Sequence, residues 1–418
     1  MTDDMPPDGR AMSAALDGDL LTEYVPDALG AADVRRRLAR GRPLDAWAPE
    51  DGPFHVGRLR VPLARRAETV PVVSCAARAR LLLLTEEALA EHTPRPEVFS
   101  YRSLGWEYRP AYQARQRHLQ ALAARPELPL VLVLDVHRFG QSLPPTVLRR
   151  APWMTERLAG ALTALHDAAG RSLLPGHRWS NRLATAALAP LDDTVAALAP
   201  GRWARWGDDL HIFVRDHAEA DDIRAAAVTA LHELGLRLSA EKSTVTAPAA
   251  VLAGPGRIID GHPAEVWRTG LSGGDVTALR YALPRTPPDE SVSRTLVGAV
   301  RDRPVLLPRA VHYLDRAAGT PAGRAAAKEL LRTPGPDAFT AARVLALVGR
   351  HPDLAAEVPD ALLAVAYDSG FVPLRELAYR VDVSRGRGDT PPPSARMRDL
   401  QASDGLSPHQ QPQVSTLL

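Results

Sequence analysis

The run LPLVLVLDV, Leu128–Val136, constrains this chain more than any other feature. Its length and its Val and Leu content predict a strand buried on both faces, with the carboxylate of Asp135 at its end and Pro144-Pro145 following. Further on, Trp206–Val214 alternates around Asp208-Asp209 in the manner of a hairpin. A strand end and a turn that each carry an acid predict a sheet built around a cluster of carboxylates.

Composition narrows the class. A chain of 418 residues is long enough for two or three folded units. No apolar run approaches the roughly 18 residues a membrane span needs, so no membrane partner is expected. The start, MTDDMPPDGR, is acidic and lacks a secretory n-region and h-region, which predicts a cytoplasmic protein. Cys75 stands alone and can form neither an internal disulfide nor a multi-cysteine zinc site. The net charge of +2 leaves room for a local basic channel beside an acidic site. Of the 51 basic residues only Lys242 and Lys328 are lysine, so a lysine marks a place where arginine does not serve.

Periodicity predicts helices over Ala31–Arg40, Ala76–Glu91, Ala111–Arg125 and Ala151–Ala169, over Asn181–Ala199 with a break at Pro190, and over Ala218–Leu234 with Gly235 as its stop. Leu236–Leu238 and Ala249–Ile259 read as further short strands, giving an α+β core. From about Gly273 the pattern turns helical, with Ser291–Arg301, Arg309–Ala318, Ala322–Arg332, Ala338–Gly349 and Pro359–Tyr367 separated by Pro or Gly, as in stacked helical hairpins. Residues 1–15 and 386–418 are too polar and proline-rich to pack and are expected to be disordered.

Acids on two separate elements suit two-metal phosphoryl transfer, in which carboxylates converge on two Mg2+ ions roughly 4 Å apart. An Asp pair in a turn is by itself an ordinary solvated loop. The surrounding motifs give it weight. In order, VLDVHRFGQSL at 133–143, SLLPGHRWSNRLATAALAPLDD at 172–193, RWGDDLHIFV at 205–214 and LGLRLSAEKS at 234–243 resemble palm motifs A to D of reverse transcriptases. PEVFSYR at 96–102 is similar to the stretch before motif A in bacterial members, and RAR at 78–80 is similar to an element of their fingers. The likeness covers about Arg58 to Leu252.

The resemblance implies a right-hand palm and fingers of reverse-transcriptase type with an all-α C-terminal region. Residues 16–125 would form the N-terminal and fingers region, 126–265 the palm, and 273–385 a helical thumb or α-repeat. It implies nucleotide addition to a nucleic-acid or protein primer with two Mg2+ ions, or Mn2+. Asp135, Asp208 and Asp209 would hold the metals with the Val136 carbonyl, and Lys242 would protonate leaving pyrophosphate, a task for which Arg is unsuited. Gly176 and Ser180 match motif B and would line the nascent pair and the template. Partners would be an RNA or DNA template-primer and a dNTP or NTP, with a noncoding RNA or a second copy as further candidates. A lone polymerase core followed by helices resembles the defence-associated reverse transcriptases of bacteria, which implies an antiviral role.

Departures accompany the matches. The ring that excludes a ribose 2′-hydroxyl is replaced by Gly140, beside Phe139. Trp206-Gly207 stands for the usual Tyr-Ala, Leu173-Leu174 for the start of motif B, and Val70 for an arginine before Pro71. Triphosphate contacts are then expected from Arg65, Arg66 or Arg80. Tyr101, Arg102, Trp106, Tyr108 and Arg109 form an aromatic and basic patch suited to gripping a single strand. The alternatives are a ribonucleotide-using or template-independent polymerase, and a non-catalytic nucleic-acid-binding interaction protein.

Overall fold

The computed structural model describes residues 54–386, apart from 55, 63–66, 74, 175, 254–258, 260, 333–336 and 369–371. The segment 1–15 and all but Gly386 of the segment 386–418, both expected to be disordered, the helix Ala31–Arg40, and Arg65, Arg66 and Pro175 lie outside the described residues. The fold mixes helices with small antiparallel sheets. It divides into two compact units, one holding described residues 78–253 and the other 54–77 with 259–386.

The chain enters through a hairpin of β1 (Val56–Pro62) and β2 (Ala67–Val73), antiparallel with Leu59 opposite Val70. Helix α1 (Cys75–Ala88) follows, then α2 (Tyr108–Ala123) and β3 (Leu130–Asp135). After two short helices, α3 (Phe139–Ser142) and α4 (Pro145–Leu148), comes α5 (Glu156–Ala169). Helix α5 starts at Glu156 and not at Ala151 because the Thr155 side chain accepts the Leu158 N–H as an N-cap.

The single broken helix expected over Asn181–Ala199 is two helices, α6 (Arg178–Ala187) and α7 (Ala189–Leu198). Pro190 sits in the first turn of α7, where its missing N–H has no partner to lose. Strands β4 (Trp203–Trp206) and β5 (Asp209–Val214) lead into α8 (His217–Glu233). Asp216 caps α8 at its start, and Gly235 at φ 66° follows its end.

The second sheet has the order β4-β5-β3-β6, with all pairs antiparallel and β6 spanning Thr244–Thr246. Two sequence expectations fail here. Leu236–Leu238 contributes a single bridge, Leu238 to Val136, and not a strand. Of the strand expected over Ala249–Ile259, residues 249–253 belong instead to helix α9 (Pro248–Ala253), and 254–258 lie outside the described residues. Proline at a first helical position followed by alanines outweighs the scattered β-branched residues.

Register decides which side chains share a face. Leu132 lies opposite Ile212 and Leu134 opposite Leu210, all buried. On the other face Val131 meets Phe213, Val133 meets His211, and Asp135 meets Asp209. Leu119, Leu122, Leu128, Val131, Ala204 and Phe213 form one core cluster there, which joins α2 to the sheet. Because both faces are covered, β3 reads as an unbroken apolar run.

In the second unit residues 263–386 hold helices and 3-10 turns among the described residues: α10 (Pro263–Gly273), α11 (Val276–Ala282), α12 (Glu290–Asp302), α13 (Leu307–Ala317), α14 (Pro321–Leu331), α15 (Ala338–Arg350), α16 (Asp360–Asp368) and α17 (Val372–Ser384). Helix α12 packs on α14, α13 on α15 and α15 on α17, and neighbouring helices such as α13 and α14 or α16 and α17 also pack together. Val61, Val70 and Val72 of the hairpin share this unit's core with Trp267, Tyr313 and Phe339. Among the described residues no helix is long and apolar enough to cross a membrane.

Candidate functional site

Three acids meet at one end of the four-stranded sheet. Asp135 ends β3 and Asp209 begins β5, directly opposite one another in the ladder, while Asp208 precedes Asp209 in the tight turn after Gly207. Gly207 has φ 64°, a left-handed conformation that costs other residues about 1–2 kcal/mol. The turn Ser239–Ser243 adds a cation: Lys242 Nζ donates to Asp135 Oδ2 at 2.8 Å. The turn is tied in by Ser239 N–H donating to the Asp135 carbonyl at 2.8 Å. On the other side of the Val136–Leu238 bridge, His137 N–H donates to the Arg237 carbonyl, so neither bond uses the Val136 carbonyl.

The electrostatics follow from this crowding. Burial pushes the Asp208 carboxyl up, as does Asp135, against pulls from its own backbone N–H and from Lys242. Asp209 is pushed up to about 7 by desolvation, then by the charges of Asp208 and Asp135 and a hydrogen bond with Asp135. Asp209 is itself exposed, with the like charges of Asp208 and Asp135 beside it. The hydrogen bond to Asp135 pushes Lys242 upward and keeps it charged.

Behind the turn lies a clamp that the sequence did not reveal. Arg205, fully buried in β4, donates from Nε and Nη2 to the two carboxylate oxygens of Asp192 at 2.6 Å each. Its Nη1 donates to the Gly207 carbonyl at 2.8 Å, and the Gly207 N–H donates to Ser100 Oγ at 2.7 Å. Both polar groups of the glycine peptide are thus held, which fixes where Asp208 stands. A charge inside a strand was the available signal, but nothing along the chain names its partner on α7.

The other expected residues divide. Ser180 is buried and its hydroxyl accepts the Leu174 N–H at 2.9 Å, which ties the start of α6 to the preceding turn. Gly176 has φ 85° in the same turn. Phe139 is buried at the start of α3, with Gly140 next and Arg138 before it at φ 47°. Arg80 is partly buried in α1. Arg102 is half-buried and donates to the carbonyls of Pro96 and Pro94.

Tyr101, at φ 49°, has its ring 4.4 Å from that of Trp106, whose indole N–H donates to the Phe99 carbonyl. The patch extends further than the sequence suggested. Trp206, beside the acidic turn, lies 5.7 Å from Trp106, 5.2 Å from Tyr108 and 5.6 Å from Tyr112. Farther along α2, the buried Arg115 donates to His211 Nδ1 at 3.1 Å. Burial and the Arg115 charge lower the His211 pKa to about 4, so the ring is neutral and carries its proton on Nε2.

Among the described residues no group of three or more His, Cys, Asp or Glu side chains already stands as a metal shell. The donor chemistry still suits a hard divalent cation: three carboxylates whose charges repel, with Lys242 as the cation on one of them. A metal ion held there would compete with Lys242 for Asp135. In comparisons with known proteins, no protein-family model matches the chain, and no curated protein matches it significantly.

Proposed function

We propose that this chain is a metal-dependent nucleotidyltransferase of reverse-transcriptase type, with residues 126–265 serving as the palm of a right-hand polymerase. What supports the reading is the alignment of Asp135 with Asp209 across adjacent strands, beside Asp208 and within reach of Lys242. These residues come from three motifs far apart in the chain, each similar to its counterpart in that family. When bound, Mg2+ or Mn2+ would acidify the attacking hydroxyl and neutralise the phosphates, held by Asp135, Asp208, Asp209 and the Val136 carbonyl.

The chain's own groups do the rest. Arg205 and Ser100 hold the Gly207 peptide, so Asp208 needs little reorganisation as charge develops. Lys242 carries a proton beside Asp135 and is the donor for the departing pyrophosphate. With Gly140 in place of a ring, a ribose 2′-hydroxyl meets no steric gate at this position, which admits ribonucleotides among the substrates beside deoxyribonucleotides. A role in antiviral defence belongs to the same proposal.

The test is incorporation of labelled dNTPs and NTPs by the full chain on RNA and DNA primers, with Mg2+ or Mn2+. Asp208→Ala should lower incorporation by at least about a hundredfold. Incorporation that persists in Asp208→Ala, or without divalent metal, would sink the reading.

A further inference from the structure

The aromatic rings beside the acidic turn are not part of a core. Tyr108, the first residue of α2, is 59% exposed, and its ring lies parallel to that of Tyr112, 5.7 Å between centroids and 7° between planes. Both rings stand nearly perpendicular to Trp206, at 84° and 89°. Trp206 pairs with Asp209 across β4 and β5, and Asp209 pairs with Asp135, so the indole and two of the three acids share one face of the sheet. The core cluster on that face includes Ala204 and Phe213 but none of these rings. Arg109, next to Tyr108, is exposed, and Arg178 lies 5.9 Å over the Trp106 ring.

We propose that Tyr108, stacked on Tyr112 and propped by Trp206, is a platform for a base of a single nucleic-acid strand whose end lies at the acids. The identity of this occupant rests on the transferase reading. Two parallel rings with the outer one exposed can extend their stack by one more flat ring, and any base has a suitable face. A lipid or an apolar peptide would gain nothing from the adjoining carboxylates, whereas a phosphodiester brings the anionic oxygens that a metal held there attracts. Exposed Arg109 supplies a positive charge for the backbone.

The experiment is fluorescence anisotropy of a labelled single-stranded oligouridine against the full chain with Mg2+, together with photocrosslinking of the same strand carrying 5-iodouridine at its 3′ end. Tyr108→Ala should weaken binding about five- to a hundredfold, while Tyr108→Phe and Tyr108→Trp stay within about twofold of the wild type. The crosslink should map to Tyr108, Tyr112 or Trp206. Because Tyr108 is exposed, its replacement leaves the core intact, and equal thermal midpoints check this. Binding that ignores Tyr108→Ala, equal losses in the Phe and Ala variants, no binding by the wild type, or crosslinks confined to other regions would overturn the platform. Nucleotide incorporation is scored separately. An active wild type whose strand binding ignores Tyr108→Ala refutes the platform alone. An inactive wild type that binds the strand through Tyr108 refutes the transferase reading alone.

Discussion

Arg205 and Asp192 form a two-pronged ion pair, 2.6 Å at each contact, buried directly behind the turn that carries Asp208. Burial pushes the Asp192 carboxyl up while the Arg205 guanidinium pulls it down. The pair is costly to bury and more costly to break.

Asp192→Ala leaves the Arg205 charge buried without its partner. It should destabilise the protein by about 3–5 kcal/mol in chemical denaturation. Replacing both residues with apolar ones of similar volume, Arg205→Met with Asp192→Leu, should recover most of that loss yet leave the Gly207 carbonyl unheld. A double variant no more stable than Asp192→Ala would count against the clamp.

Under the transferase reading a divalent cation would compete with Lys242 for Asp135. The Lys242 side chain is largely exposed, so the pair is worth at most about 1 kcal/mol. Lys242→Met should therefore tighten Mn2+ binding by roughly two- to fivefold, read by electron paramagnetic resonance of free Mn2+. Weaker Mn2+ binding in this variant would show that the lysine does not oppose the metal.

Acid should weaken the protein through Glu219. Burial acts to raise its pKa, but hydrogen bonds from Arg202 and Arg215 together outweigh it and bring it to about 2, from 4.5 in the unfolded chain. A depressed carboxyl stabilises the fold above the unfolded value, and this contribution is lost as pH falls from about 4.5 towards 2. Allowing for the exposure of Arg215, its size is on the order of 2 kcal/mol. Urea denaturation of Glu219→Gln and wild type should differ by that amount at pH 6 and converge near pH 2.

Gly140 sets the sugar preference under the transferase reading. Gly140→Tyr should reduce NTP incorporation at least about tenfold relative to dNTP incorporation. Equal suppression of both, measured as the ratio of kcat/KM values, would show that the ring blocks the site without discriminating sugars.

Gly323 permits a close helix approach in the second unit. A Cβ built there would collide with the Ala317 carbonyl oxygen, a backbone atom that cannot swing away. Gly323→Ala should cost about 1–3 kcal/mol and lower the thermal midpoint by several degrees.

The sequence by itself determined the apolar strand with its terminal acid, the acidic turn, and the helix that Gly235 stops, because alternation, glycine and capping are local properties of the chain. Helical spacing over 291–367 was legible for the same reason. Partnership across the fold was not. β6 has three residues, too few to produce a period, and it exists because β3 offers it a ladder. The helix over Pro248–Ala253 was misread because short apolar stretches do not separate the two periods. Ser180 matched a motif, yet only packing revealed that its hydroxyl accepts the Leu174 N–H. Arg205 with Asp192, Lys242 with Asp135, and Trp206 with Tyr108 each join distant positions, and burial and register, not local propensity, decide such pairs. The tertiary structure therefore turned three acids into one cluster, gave it a lysine and a clamp, and set a wall of rings beside it.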